Sequence, residues 1–320
     1  MATAAPSSPR KILLDADPGH DDAVALLLAH ANPRIDLLAV TTIGGNQTLE
    51  KVTRNALGVL TLLGATDLPV AAGCTRPLVR PVRVAADIHG ESGLDGVDLP
   101  SPSPGIALDP RHAVDLIIDT VMAHAPGEVT LVPTGPLTNI ALAARKEPAI
   151  VERVREVVLM GGGVHEGNAT PVAEFNILCD PEAAAIVFDA GWDVVMVGLD
   201  VTHQALATPE VAARVGELDS PVSRFVGQLI EAFGRAYRDV QGFDAPPVHD
   251  PCAVAYVIDP AIVATRRAGL TVELAGGHTT GMTVADLRGP EPTDCHTRVG
   301  VGLDVERFWD LVVDAVRRLS

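Results

Sequence analysis

The sequence predicts an α/β fold in which a mostly parallel, open sheet is flanked by helices around a Rossmann-like core. Over the first two thirds of the 320 residues, short β-branched runs alternate with helical patterns. This alternation is typical of a parallel sheet with helices on both faces. Past residue 205 long helical patterns are followed by short strand patterns. The sequence therefore predicts helical and short-strand additions in the C-terminal third.

The elements of the first two thirds follow from local patterns. Apolar residues recur at intervals of three and four between Leu49 and Leu63, which is the period of a helix. Pro33 ends the preceding helix, because the residue before a proline is disfavoured in helical geometry. The predicted strands are 11–16, 35–44, 128–135, 156–163 and 193–200, and the predicted helices are 21–31 and 48–65.

The C-terminal third is predicted to contain helices 220–240, 250–259 and 305–319 and strands within 269–274, 282–287 and 297–304. No linker or repeat divides the chain, so residues 11–320 are expected to form a single domain after a flexible tail, residues 1–10. The stretch 74–105 is rich in proline and glycine, and it is predicted to form a loop system over the functional site.

Charge and composition exclude several classes of function. A net charge of −17 and a total of only ten aromatic residues argue against a nucleic-acid polymer or an anionic membrane as partner. The four cysteines are scattered without a CxxC pair, which favours reduced thiols over disulfides or a zinc site. The start of the chain lacks the apolar segment of a secretory signal, so a cytoplasmic protein is expected.

Four aspartates, at positions 15, 17, 21 and 22, lie within eight positions between the first strand and the first helix. A single acidic residue here would need no function, because a helix N-terminus favours negative charge by about 0.3–1 kcal/mol. Asp17 and Asp22 together at a strand end instead indicate a cation, and oxygen ligands select Ca²⁺ or Mg²⁺. Asp250, expected to cap the helix 250–259, offers a third carboxylate, and the Thr134 carbonyl offers a neutral oxygen.

Polar residues also follow the other predicted strands. Asn46 comes after the second strand, Thr134 after the third and Met160 after the fourth. Because the carboxyl ends of parallel strands share one edge, where α/β proteins bind ligands, we expect these residues to converge there. The glycines of 161–167 run into polar loop residues rather than a helix, so they do not form a dinucleotide fingerprint.

The polar groups suited to a polyol are Asn168, Glu174 and Asn176. His249 directly precedes Asp250, which places it near the predicted cation and makes it a candidate acid or base.

A different interpretation is a phosphatase of the haloacid dehalogenase type, with Asp15 as nucleophile and Asp17 as acid. It is disfavoured because Gly19-His20 replaces the usual Thr or Ser and no lysine follows a later strand.

Five ordered motifs resemble the nucleoside hydrolases, especially the inosine–uridine-preferring branch. The resemblance extends from Lys11 to the final helix, and its DxDxGxDDA element is highly specific. The motifs are DADPGHDDAVAL, TTIGGNQTLEKVTRNA, LVPTGPLTNIA, VVLMGGGVHEGNATPVAEFNILCDPEAA and VHDPCAVAYVIDP.

The resemblance implies hydrolysis of the N-glycosidic bond of ribonucleosides such as inosine and uridine, giving ribose and a free base in nucleoside salvage. It implies a bound Ca²⁺ held by Asp17, Asp22, the Thr134 carbonyl and Asp250. Asp17 would be the general base and His249 a candidate proton donor. The implied substrate contacts are Asp21, Asn46, His89, Met160, Asn168, Glu174, Phe175, Asn176, Tyr237 and His249.

The resemblance also implies a homodimer or homotetramer, and it leaves the preferred base open. Tyr237 matches an aromatic position of the base pocket, whereas Phe233 replaces a commoner tyrosine and Gln241 an arginine. Loss of the hydroxyl at 233 would weaken activation of a purine, so a pyrimidine-preferring hydrolase is an alternative hypothesis. A non-catalytic nucleoside-binding protein is disfavoured, because a binder needs no general base.

Overall fold

The computed structural model describes residues 8–320. The part of the predicted tail at 1–7 lies outside the described residues. Arg10, which the sequence analysis assigns to the tail, is instead the first residue of strand β1. The reason is main-chain pairing, because Arg10 lies opposite Ile35 of the neighbouring strand.

Ten strands and thirteen α-helices are found among residues 8–320, together with one 3₁₀ turn at Pro260–Ile262. The strands are β1 Arg10–Ala16, β2 Ile35–Thr42, β3 Val70–Ala72, β4 Val129–Pro133, β5 Glu156–Met160, β6 Val194–Val197, β7 Val263–Arg267, β8 Leu270–Val272, β9 Thr283–Ala285 and β10 Thr297–Leu303. The helices are α1 His20–Ala31, α2 Leu49–Leu62, α3 Ala86–His89, α4 Ala113–Ala123, α5 Thr138–Lys146, α6 Ala149–Arg153, α7 Phe175–Cys179, α8 Pro181–Phe188, α9 Leu199–Thr202, α10 Pro209–Gly216, α11 Pro221–Gln241, α12 Pro251–Ile258 and α13 Val305–Arg318.

Eight strands form one sheet in the order β3-β2-β1-β4-β5-β6-β10-β7. All neighbouring pairs are parallel except β10 and β7, which are antiparallel. The prediction of a mostly parallel sheet flanked by helices is therefore confirmed. Strands β8 and β9 form a separate antiparallel pair, one of the short-strand additions predicted for the C-terminal third.

The two faces of the sheet pack into two apolar clusters, because successive side chains of a strand point to opposite faces. Ile12 and Leu14 of β1 belong to one cluster, with residues of α1, α11, α12 and α13. Leu13 belongs to the other, with residues of α4, α5 and α8. The sheet is thus covered on both sides, and its functional groups are confined to the strand ends.

Two strands of the large sheet were not predicted. β3 has only three residues, too few for a recognisable pattern. β7 has the sequence VATRR, and its two arginines obscure the strand pattern. Both lie at an edge of the sheet, where polar side chains are tolerated. No helix within residues 8–320 is long and apolar enough to cross a membrane.

Candidate active site

A cavity of about 420 Å³ opens at the edge of the sheet formed by the carboxyl ends of β1, β2, β4 and β5. The predicted site residues that line it are Asp21, Asn46, His89, Thr134, Met160, Asn168, Glu174, Phe175, Asn176, Tyr237, His249 and Asp250. Asp17 and Asp22 are not part of this lining; both are fully buried and hydrogen-bonded to Asn46, which is part of it. The residues that the sequence predicts to converge are therefore brought together.

Three carboxylates form the acidic end of the cavity. Asp21, Asp22 and Asp250 each place an oxygen within 4.8 Å of the others, and all three are buried. Asp250 occupies the predicted N-cap position of α12, but within residues 8–320 its side chain makes no capping hydrogen bond. Its backbone is in αR geometry, and its carboxylate joins the acidic cluster instead.

Asn46 connects Asp17 with Asp22. Its main-chain N–H donates to Asp17 Oδ2 at 2.6 Å, and its Nδ2 donates to the Asp17 carbonyl at 3.1 Å and to Asp22 Oδ2 at 3.0 Å. Gly45 permits this approach, since a Cβ there would lie 2.1 Å from Asp17 Oδ2. The sequence predicted a sugar contact for Asn46, but it did not predict that Asn46 bridges the two carboxylates.

The acidic end is unfavourable for ionised carboxylates without a compensating charge. Burial, then repulsion from Asp22, raises the pKa of Asp21 to about 8. Burial and neighbouring carboxylates also raise the pKa of Asp17 and of Asp250 well above the usual range. Asp17 Oδ1 is buried and accepts no hydrogen bond from the described residues, 8–320. A divalent cation would supply the missing charge and use this oxygen, so the residues fit an oxygen-liganded metal.

Next to the acidic end, the ends of β4 and β5 present neutral polar groups. Thr134 Oγ1 donates to Asp22 Oδ1 at 2.9 Å, and the Thr134 carbonyl accepts from Asn176 Nδ2 at 2.8 Å. Glu174 accepts from the main-chain N–H groups of Gly162, Asn176 and Ile177, so both of its oxygens stabilise the backbone. These contacts fix the geometry of the loop after β5.

Directly beside the acidic cluster, where the His249 main-chain N–H donates to Asp21 Oδ2 at 3.3 Å, an imidazole lies between two hydroxyls. His249 Nε2 lies 2.6 Å from the Tyr237 hydroxyl, and His249 Nδ1 lies 2.7 Å from Thr202 Oγ1. Burial lowers the pKa of His249 to about 3 and raises that of Tyr237. At neutral pH the imidazole is therefore uncharged and the phenol keeps its proton. Thr202 was not predicted, since its partner lies 47 residues along the chain.

Three stacked rings, those of His20, His89 and Phe233, lie next to Tyr237. Phe233 of α11 stacks with His20 at a centroid distance of 5.3 Å and lies 5.4 Å from His89. The His20 main-chain N–H donates to His89 Nδ1 at 3.3 Å. Gly19 is required for this packing, because a Cβ there would lie 2.4 Å from His89 Nδ1. The sequence indicated His89 and Phe233 but not His20.

Asp15 does not suit the nucleophile of the phosphatase interpretation. It is fully buried, and one of its oxygens accepts from Thr41 and Asn139. Among the described residues it is not part of the cavity lining, whereas Asp21 and Asp250 are. Asp15 therefore has a structural role between β1, β2 and α5.

The fold and the cavity together define a class of protein: a Rossmann-like α/β protein whose cavity combines buried carboxylates, suited to a cation and a hydroxylated group, with aromatic rings suited to a planar one. Comparison with known proteins gives the family. The profile described as "Inosine-uridine preferring nucleoside hydrolase" matches residues 12–310. The chain belongs to this family, and it is a hydrolase of the N-glycosyl bonds of nucleosides.

Individual relatives cover almost the whole chain. The chain is 59% identical to an inosine-uridine preferring nucleoside hydrolase of Crithidia fasciculata, over 98% of this chain and 99% of that protein. It is 58% identical to the Leishmania major protein of the same name, with the same coverage. The solved structure of a purine-preferring ribonucleoside hydrolase from Gardnerella vaginalis is 34% identical and gives a TM-score of 0.90, over 97% and 99% of the two chains.

Proposed function

We propose that this protein hydrolyses ribonucleosides, including inosine, uridine and related purine and pyrimidine nucleosides, to ribose and free base with the help of Ca²⁺. The observation that supports this most strongly is the polarity of one cavity. It combines the acidic cluster of Asp21, Asp22 and Asp250 with the ring side chains of Tyr237 and His249, which adjoin that cluster. A nucleoside has the matching chemistry, because its sugar carries hydroxyl groups and its base is a planar aromatic ring.

Asp17, Asp22, the Thr134 carbonyl and Asp250 would hold the calcium ion. All four offer oxygen, and calcium takes 6–8 oxygen ligands, which leaves room for water and for substrate hydroxyls. When bound, the cation lowers the pKa of a water ligand and fixes the ribose diol. The raised carboxylate pKa values support this assignment, because a cation relieves the repulsion that causes them.

Asp17 acts as the general base in this proposal. Its Oδ2 accepts from the Asn46 main chain, whereas its buried Oδ1 has no hydrogen-bond partner among residues 8–320, so one lone pair of Oδ1 would contact the cation and the other would take the proton from water. The buried negative charge around Asp17 also stabilises the positive charge that develops on the sugar as the glycosidic bond breaks.

The ribose is bound along the wall between the acidic end and the loop after β5. Asp21 and Asn46 contact the hydroxyls nearest the cation, and Asn168, Glu174 and Asn176 hold the opposite side of the sugar. Asn168 Oδ1 already accepts from the Phe175 N–H at 2.9 Å, which leaves its Nδ2 for a ribose oxygen. Met160 and Phe175 supply apolar contacts to the ring.

The leaving base gains negative charge, and in this proposal the hydrogen-bonded pair of Tyr237 and His249, 2.6 Å apart, supplies the proton that neutralises it. The proton that Asp17 takes from the attacking water balances the proton given to the base, so the protein ends the reaction with no net gain or loss of protons. His89 contacts the base from the side of the three stacked rings.

A pyrimidine-preferring hydrolase is the second candidate. Phe233 supports it, because a phenyl ring stands among His20, His89 and Tyr237 without a hydroxyl that would hydrogen-bond a purine. The relative rates for inosine and uridine distinguish the two candidates.

The test incubates the purified protein with inosine, with uridine and with a phosphomonoester. Reducing sugar is measured for the two nucleosides and released phosphate for the ester. We expect ribose from both nucleosides and no phosphate from the ester. Faster hydrolysis of uridine by tenfold or more would favour the pyrimidine-preferring alternative. No ribose from any nucleoside, with calcium bound, would contradict the proposal.

The cellular setting is proposed from the family resemblance. We place the protein in nucleoside salvage in the cytoplasm, as a homodimer or homotetramer built from chains with a single domain at 11–320.

A further inference from the structure

Asn176 lies at the junction of two strand ends. The side chain is buried, with 6% of its residue surface exposed. Its Nδ2 donates to the Thr134 carbonyl at 2.8 Å and to the Met160 carbonyl at 3.2 Å. A carbonyl oxygen only accepts hydrogen bonds, so both contacts require the NH₂ end of the amide. The orientation of the Asn176 amide is therefore determined by its surroundings.

We propose that Asn176 is a positioning residue for the cation site, in addition to any contact with the sugar. Its NH₂ group orients the Thr134 carbonyl so that one lone pair of the oxygen is directed to the cation. This inference rests on the proposed function, since it requires that the Thr134 carbonyl is a calcium ligand.

The Thr134 carbonyl needs such a restraint. It is part of the peptide group between Thr134 and Gly135, and a glycine restricts rotation of that group less than any other residue. Within residues 8–320 the contact from Asn176 is the one hydrogen bond that this carbonyl accepts. The oxygen has two lone pairs, so the bond to Asn176 leaves the second one for a metal.

The other groups of Thr134 are held separately. Its main-chain N–H donates to the Asp15 carbonyl at 2.8 Å, and its hydroxyl donates to Asp22 Oδ1 at 2.9 Å. These bonds fix the residue and one carboxylate but not the direction of the carbonyl. Asn176 supplies the missing restraint from outside the set of ligands.

Asn176 is itself firmly anchored. Its main-chain N–H donates to Glu174 Oε1 at 2.8 Å, and Glu174 Oε2 accepts from the Gly162 N–H at 2.9 Å. The bond to Met160 ties the same amide to the end of β5. Its Oδ1 makes no hydrogen bond within residues 8–320, and the residue lines the cavity, so Oδ1 is available to a sugar hydroxyl. The donor and acceptor ends of one side chain thus serve the cation and the sugar respectively.

The test measures calcium affinity without nucleoside, by competition with a chromophoric chelator, for wild type, Asn176→Ala and Asn176→Leu. Partners of metal ligands typically contribute 10–100-fold to affinity, so we expect the calcium Kd of both variants to rise at least about tenfold. Leu keeps the volume of the side chain, which makes it the second variant if Ala prevents folding. Far-ultraviolet circular dichroism and thermal melting establish that each variant is folded.

Asn168→Ala is the matched control, because Asn168 lines the same cavity and contacts Phe175 rather than Thr134. We expect its calcium Kd to stay within about twofold of wild type while its KM for nucleoside rises. Excess calcium should restore kcat in the Asn176 variants but leave their raised KM. A folded Asn176 variant with the wild-type calcium Kd would overturn the inference. A wild-type protein that binds no calcium would instead contradict the proposed function.

Discussion

At the scale of single residues, Asp17 and Asp22 differ in how their oxygens are used. Both oxygens of Asp22 accept hydrogen bonds, from Thr134, Gly19, Asn46 and the Asp17 main chain. Asp17 accepts through Oδ2 alone, and its Oδ1 has no hydrogen-bond partner in the part of the chain that the structure describes. The family resemblance implied a base role for Asp17 alone, and in the proposed function this difference in contacts makes Asp22 a metal ligand and Asp17 both a ligand and the base.

Changing Asp17→Asn should lower kcat by roughly 10²–10⁴-fold, because the amide removes the general base and weakens the cation site. Steady-state ribose release from inosine, with saturating calcium, measures the effect. Asp36→Asn is the control for loss of one charge, since Asp36 is exposed on β2 and far from the cavity lining. Near-normal turnover of Asp17→Asn with calcium bound would show that Asp17 is not the base.

At the scale of elements, α11 supplies aromatic side chains to the cavity wall. Ser220 begins the helix with a capping box, and Gly242 ends it in left-handed geometry. Between them, Phe233 and Tyr237 are one turn apart and face the cavity together. A change on this face should alter the choice of base without altering the acidic end.

Phe233→Tyr should raise the ratio of inosine to uridine turnover, because a hydroxyl among the rings of His20, His89 and Tyr237 can hydrogen-bond a purine. The two rates, measured side by side for wild type and variant, give the ratio. Melting temperatures check that the buried hydroxyl has not disturbed the fold. An unchanged ratio would refute the role assigned to position 233.

The elements that the sequence predicted well are those with a strong local pattern. β1 and α11 lie within one residue of their predicted bounds, and α2 begins one residue later and ends three residues earlier than predicted. The sequence did not predict β7, because this segment forms a strand by pairing with β10, which lies 30 or more residues later in the chain. Local pattern therefore identifies buried strands and amphipathic helices, whereas edge strands depend on tertiary contacts.

At the scale of the whole molecule, strand order assembles the site. The order β2-β1-β4-β5 brings Asn46, Asp17, Thr134 and Met160 to one edge from four separate segments. This convergence was predictable, because parallel strands share a carboxyl edge. The hydrogen bonds in which Asn46, Asn176 and Thr202 take part were not predictable, because they depend on distances between residues that are far apart in the sequence.

The most direct test of the account is the calcium dependence of ribose release. The protein is assayed with inosine as purified, after exhaustive chelation and after Ca²⁺ is added back, and bound metal is counted by elemental analysis in each state. We predict about one calcium per chain as purified, loss of ribose release in parallel with the metal, and recovery on adding Ca²⁺. Full activity in protein shown to contain no divalent metal would contradict the account.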